Sequence, residues 1–323
     1  MRTKCLIMNT YSIARVAKVV MIAVAATVAT AIHASDTLTV TFTGDVLLDR
    51  GVRRTIERHH GDAGCLFSPS VDSVFAASQL VVANLECPVT SIKSPALKNF
   101  VFRGEPEWLQ VLREHGITHL NLANNHSIDQ GRKGLIDTRD NIVKARMVPI
   151  GAGNCMEEAS QPVLVATHPR NVYVVASLRL ALENFAYLPD LPCVSQESFE
   201  MLEARVRQLR EQEPECCIVV CLHWGAEHVL RPAVQQVVQA HRLIDAGANC
   251  LICHHTHTMQ TVEQYNGSPI YYSIGNFIFD HTRDINSSAC MVQLTITSTT
   301  VEAKTIPVVI KDCVPEVVDD EDS

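Results

Sequence analysis

His254, His255 and His257 follow directly on the apolar run Cys250-Leu251-Ile252-Cys253, which has the length of one buried strand. In a turn just past a strand, a His-x-His pair can aim both imidazoles at one point, and neutral imidazole is the commonest metal ligand. Taken alone, such a pair is equally compatible with a solvated polar turn. Repetition favours chemistry. Four other apolar runs also end in residues that can bind a cation or move a proton: 37–43 at Gly44-Asp45, 79–84 at Leu85-Glu86, 117–122 at Asn124-Asn125-His126, and 216–222 at His223. Any one of these is explained by a capped turn. Five together point to a shared metal site.

Such ends meet only if the strands run mostly in one direction. The intervening stretches read as helices. Residues 105–116 have Pro early and Gly at the end; 196–213 carry Phe199, Leu202, Val206 and Leu209 at helical spacing; 234–246 are closed by Gly247. Alternating strands and helices predict an α/β fold with a mostly parallel sheet core. The turn Tyr265-Asn266-Gly267-Ser268 and the strands 289–297 and 301–310 add antiparallel pairs. In such sheets ligands bind beyond the carboxyl ends of the strands, so all five polar ends fall on one rim. Residues 181–195, with Pro189 and Pro192, read as an excursion over the surface or the site.

The 323 residues, 47% hydrophobic and 19% charged, have ordinary globular composition. Arg2, Lys4, Arg15 and Lys18 precede the uncharged apolar stretch 19–32. As a helix it reaches about 21 Å, short of the roughly 30 Å hydrocarbon core. With Ile32-His33-Ala34 ahead of Ser35, residues 1–34 read as a secretory signal, the rival being an uncleaved N-terminal anchor. Either places the protein outside the cytoplasm, periplasmic, extracellular or membrane-anchored. One domain over 35–312 follows. Glu316, Asp319, Asp320, Glu321 and Asp322 make 313–323 an expected acidic, disordered tail.

The net charge of −8 leaves no general footprint for nucleic acid. An anionic substrate must then be held locally. Arg50 and Arg103 are candidates through their planar forks, each otherwise an ordinary salt bridge. Trp224 and Glu227, beside His223, are candidates to line a pocket, with Trp224 equally suited to plain packing. The twelve cysteines lack the spacing of a small disulfide scaffold. Cys250 and Cys253, on opposite faces of one strand, read as core.

Five segments together resemble the CapA-type capsule (poly-γ-glutamate) biosynthesis proteins, a family similar to the calcineurin-like metallophosphoesterases. They are GDVLLDRG (44–51), NLECPVT (84–90), NLANNHSIDQGRKG (121–134), HWGAEH (223–228) and HHTHTMQTVEQYNGSPIYYSIGNFIFD (254–280). The resemblance implies a four-layer α-β-β-α sandwich and an exported, metal-dependent, hydrolase-like protein. Its role would be in the synthesis, release or export of poly-γ-glutamate or a similar anionic polymer. It implies one or two divalent ions, Mn, Fe or Zn. Asp45 and His257 would hold the first, Asn125, His223 and His255 the second, with Glu86 bridging. His126 and a free His254 would handle protons. The implied partners are the polymer, or a small phospho or γ-glutamyl compound, and membrane-bound capsule synthesis proteins. A phosphoesterase proper and a non-catalytic assembly or export module are the other readings. Leu47 stands where phosphoesterases place a histidine. If it merely leaves a ligand missing, Leu47→His should raise metal occupancy; if it packs in the core, it should not.

Overall fold

The computed structural model describes residues 36–280 and 283–318; the expected signal or anchor, and the last residues of the chain, lie outside these. β1 (Leu38–Val46) is buried along nearly its whole length. Near its end, a side chain on Gly44 would place Cβ 2.2 Å from the Gly275 carbonyl oxygen, so only glycine permits this approach. Two short helices follow that no periodicity in the sequence announces. Both are set by their caps: α1 (Arg50–Arg58) by the Asp49 carboxylate, and α2 (Pro69–Ala76) by Ser68 and a proline at its start. Then come β2 (Leu80–Leu85), α3 (Trp108–Glu114), β3 (His119–Asn121), α4 (Gly131–Lys144) and β4 (Val148–Ile150).

The second half repeats the alternation with β5 (Val163–Ala166), β6 (Val172–Leu178), α5 (Phe199–Gln212), β7 (Cys217–His223), α6 (Val234–Asp245) and β8 (Cys250–His254). A hairpin joins β9 (Val262–Tyr265) to β10 (Ser268–Tyr271), with Asn266 and Gly267 both at positive φ as a tight two-residue turn requires. β11 (Asn276–Ile278), β12 (Ser288–Ile296), β13 (Val301–Lys311) and β14 (Val314–Val317) close the chain.

The strands form two large sheets. One has the order β14-β13-β12-β1-β2-β3-β4, with β11 also paired to β1; the other has the order β9-β10-β8-β7-β6-β5. Within each, the central strands are parallel and the late hairpins antiparallel. Three apolar clusters define the layers. The first packs α1, α2 and α3 on the first sheet through Val52, Ile56, Phe75 and Leu109. The second lies between the sheets and joins Val40 and Phe42 to Val174, Val219 and Ile252. The third packs α5 and α6 on the second sheet through Leu202, Val206, Ala240 and Leu243. The order is therefore helices, sheet, sheet, helices. As strand alternation requires, Cys250 enters the inter-sheet cluster and Cys253 the outer one, and all the described cysteines are free.

β14 corrects the expected start of the tail. Residues 314–317 pair antiparallel with β13, because Asp312 and Cys313 at positive φ turn the chain back and Cys313 is buried. No described helix is long and apolar enough to cross a membrane.

His119 on β3 is buried, and burial pushes its pKa down to about 4. The folded state therefore keeps it neutral while the unfolded chain protonates near the ordinary value. Its contribution is complete above about pH 6.5 and is lost as pH falls toward 4, on the order of 3 kcal/mol in all. Denaturant titrations at pH 7 and pH 4.5 should show a smaller acid loss for His119→Gln than for wild type.

Candidate metal centre

Parallel pairing sets the polar ends side by side. Asp45 on β1 is in register with Asn84 on β2, and His223 on β7 with His254 on β8. Glu86 follows β2 by one residue, and Asn125 and His126 come from the turn after β3. His255 and His257 lie in the turn after β8, and both are held at positive φ, 95° and 56°. Non-glycine residues adopt this conformation only when the surroundings impose it.

Two groups of ligand atoms result. Glu86, His223 and His255 form one; Asp45, Glu86 and His257 form the other, and Glu86 belongs to both. Around His223 Nε2 lie Asn125 Oδ1 at 2.8 Å, His255 Nδ1 at 3.2 Å and Glu86 Oε1 at 3.5 Å. One ring nitrogen offers at most one proton to these three lone-pair donors. Around His257 Nδ1 lie Asn276 Oδ1 at 2.9 Å, Asp45 Oδ2 at 3.5 Å and Glu86 Oε2 at 4.0 Å. The two imidazoles of the His-x-His pair thus reach two adjacent points rather than one.

The residues fit a bound cation. Asp45 accepts from Asn84 Nδ2 at 2.8 Å with one oxygen, while its Oδ2 and both oxygens of Glu86 are buried without a hydrogen-bond partner. Both residues are fully buried. Three orphaned carboxylate oxygens in a dry setting are unfavourable for the protein alone and are what a divalent ion neutralises. Burial by itself raises the Asp45 pKa, but His257 and the neighbouring imidazoles overcome it and hold the carboxyl well below its usual range. Burial and the Asp45 charge push Glu86 up. Burial opposes protonation of His257, yet Glu86 and Asp45 raise it to about 9. Burial and His257 push His255 down to about 4, and burial and His255 push His223 well down. Neutral His223 and His255 keep lone pairs to give.

His126 stands at the edge of this cluster. Its Nδ1 bonds Asp129 Oδ2 at 2.8 Å, Asp129 pairs with Lys98 Nζ at 2.6 Å, and the ring lies against Phe102. That arrangement reserves Nε2 for the adjoining cavity of about 480 Å3, which His126 lines together with His257, Glu227, Arg50, Arg54 and Arg283.

Several expected roles are corrected. His254 does not line the cavity: its Nε2 lies 3.1 Å from the Thr43 carbonyl oxygen and its Nδ1 is buried without a hydrogen-bond partner, because strand alternation turns it into the seam between the sheets. Arg103 does not reach the cavity, being held by the Thr90 carbonyl and Glu105. Trp224 does not line this cavity: it is 2% exposed, stacks on Tyr272 and donates to the Tyr272 carbonyl, and it borders a separate cavity on the other side of its loop. Arg50 lines the cavity, but its guanidinium is already committed to Asp280 at 3.0 Å and lies over Phe102 and Phe279. Leu47 is fully buried in the first apolar cluster. Asn84 and Asn276, which orient Asp45 and His257, were not singled out from sequence; the only signal was their place at polar strand ends.

The strained turn gives a direct test. His255→Ala and His255→Gly both remove one ligand, but glycine accepts φ of 95° without strain. The metal-free glycine variant should be more stable than the alanine variant by about 1 kcal/mol, measured by urea denaturation in chelator.

Fold and site together define an α/β protein whose two sheets present a pair of carboxylate–histidine groups sharing one glutamate. The chain belongs to the family described as bacterial capsule synthesis protein PGA_cap, whose family model matches residues 39–281. It is 30% identical over 266 residues to the PGA biosynthesis protein CapA of Bacillus subtilis, an alignment covering 81% of this chain and 68% of that one. It is 27% identical over 265 residues to the capsule biosynthesis protein CapA of Bacillus anthracis, covering 80% and 64%. It thus spans about two thirds of the length of these relatives. Among solved structures, a hypothetical protein from Thermus thermophilus aligns with a TM-score of 0.49 at 15% identity, covering 84% of this chain and 99% of that one.

Proposed function

We propose that this protein is an exported, metal-dependent, hydrolase-like component in the synthesis, release or export of capsular poly-γ-glutamate or a similar anionic polymer. The observation that carries the metal part is the buried Glu86, shared by two ligand groups with both of its oxygens unpartnered. Asp45 and His257 would hold one divalent ion, Asn125, His223 and His255 a second, with Glu86 between them. The chemistry such ions supply is polarisation of a carbonyl or phosphoryl oxygen and acidification of water. The chain's own contribution is distinct. Asp129 fixes the His126 ring so that Nε2 can exchange a proton with a group in the cavity. Arg54 and Arg283 present positive charge to an acidic chain entering there, and the Phe102 and Phe279 walls limit water.

The polymer part rests on family membership and the names of the relatives. The test is elemental analysis of the purified full chain together with a substrate panel. Bound divalent metal and faster turnover of γ-glutamyl polymer than of phosphate esters is the expected result. Absence of metal after purification in Mn, Fe and Zn would overturn the metal part. Brisk phosphatase activity without polymer cleavage would replace the reading with a phosphoesterase, a reading the shared carboxylate also supports. The export part predicts a product outside the cytoplasm that starts near Ser35 or is anchored through residues 19–32, as mass spectrometry of the N-terminus would show.

A further inference from the structure

The loop after β7 has two sides. Glu227 and His228 line the cavity beside the metal cluster, whereas Trp224, Val229 and Arg231 line a second cavity of about 460 Å3. This second lining contains two guanidiniums, Arg179 and Arg231, and no acidic side chain, in a chain of net charge −8. Three atoms of residues that line it, Arg179 Nε, Gln236 Nε2 and Gln260 Oε1, are buried without a hydrogen-bond partner. Gln236 and Gln260 are only 9% and 4% exposed. Groups so placed destabilise the fold unless something meets them.

The two amides are oriented by their other ends. Gln236 Oε1 accepts the Ala233 N–H at 2.9 Å, and Gln260 Nε2 donates to the Val229 carbonyl at 2.6 Å. What remains is one N–H donor and one carbonyl acceptor, the complement of a ligand's own C=O and N–H. α6 starts in the same lining, and its N-cap Ala233 has no side chain to cap it, so the positive end of a twelve-residue helix is available to an anion. Gly225, at φ of 91°, packs closely on the Gln236 amide: a Cβ there would stand 2.9 Å from Gln236 Nε2.

We propose that this cavity binds a small carboxylate that also carries an amide, its carboxylate against Arg179 and Arg231 and its amide between Gln236 and Gln260. The volume suits a ligand of one or two residues. That the natural ligand is a γ-glutamyl unit, free or as part of a polymer, rests on the functional reading above. The carboxylate-amide chemistry does not, and neither requires a metal.

Calorimetric titration of the full chain tests this, with γ-glutamyl-glutamate, glutarate, inorganic phosphate and γ-glutamyl polymer as probes, with and without chelator. The dipeptide should bind at least about tenfold more tightly than glutarate, which has the carboxylates but no amide, and binding should survive chelation. Arg231→Gln and Gln236→Glu should each weaken it about tenfold or more. Both are expected to fold: Arg231 is exposed, and glutamate at 236 still offers an oxygen to the Ala233 N–H. Both should keep wild-type metal content. Polymer binding with the same dependence on Arg231 identifies a chain unit as ligand, and dipeptide binding alone identifies a free compound. Three results overturn the proposal: no dipeptide binding at millimolar concentration, binding that chelator abolishes and both variants leave unchanged, or phosphate binding as tight as the dipeptide. A wild type devoid of metal that still binds the dipeptide through Arg231 would sink the metal reading and leave this site standing.

Discussion

Glu86→Gln should leave the protein with less than about a tenth of wild-type metal, emptying both positions at once, while His255→Ala should empty only the position that includes His223. The asymmetry follows from sharing: Glu86 is the one residue common to both ligand groups. An amide keeps the shape of the side chain but removes the negative charge that faces both ions. The fold itself should tolerate the change. Without metal, Glu86 is already pushed toward its neutral form by burial and by Asp45, so the amide replaces a near-isosteric acid. The measurement is metal per chain for the two variants, with thermal unfolding in chelator as the control. Chelator should lower the wild-type midpoint and leave that of Glu86→Gln nearly unmoved. Full retention of one ion by Glu86→Gln would show that the two groups do not depend on a common carboxylate.

Much of this centre was legible because strand periodicity is legible. An apolar run with a carboxylate or histidine directly after it marks a strand end, and parallel strands bring such ends to one rim; that places Asp45, Glu86, His223 and His255 together, while their separate roles as ligands came from the resemblance. What periodicity cannot give is the direction of a side chain in a turn. His254 and His255 are adjacent, yet one is buried against the Thr43 carbonyl and the other meets His223. Aromatic and basic residues near a site carry the same ambiguity, which depends on neighbours distant in sequence. Trp224 is claimed by Tyr272, and Arg50 by Asp280. α1 and α2 were missed because, at nine and eight residues, they are too short for a periodic signal and rest on Asp49 and Ser68 caps that read equally well as turns.

Leu47→His should cost about 3–5 kcal/mol and add no metal. The analogy with phosphoesterases suggested a missing ligand, but Leu47 is fully buried among Val46, Leu48, Val52 and Ile56, on the helix-covered face of the first sheet. An imidazole there loses the leucine's packing and leaves ring nitrogens in an apolar setting without partners. Denaturant unfolding of wild type and variant, with metal per chain measured at equal folded concentration, separates the outcomes. A variant of wild-type stability carrying more metal would mean that β1 can rotate this residue toward the cluster, contrary to the packing described. The packing of Leu47 therefore accounts for the absence of a ligand at this position without implying an incomplete metal site.

The candidate ligand residues divide between the two sheets: Asp45, Glu86 and Asn125 lie at strand ends of one, and His223, His255 and His257 at strand ends of the other. An ion held among them works like a rivet through a two-ply laminate. Apolar contact between the plies resists their separation but offers little against sliding, and direct polar ties across the seam at this rim, such as that from His254 to the Thr43 carbonyl, are single hydrogen bonds. A bound ion would therefore tie the two sheets to each other at this rim and not at the opposite one.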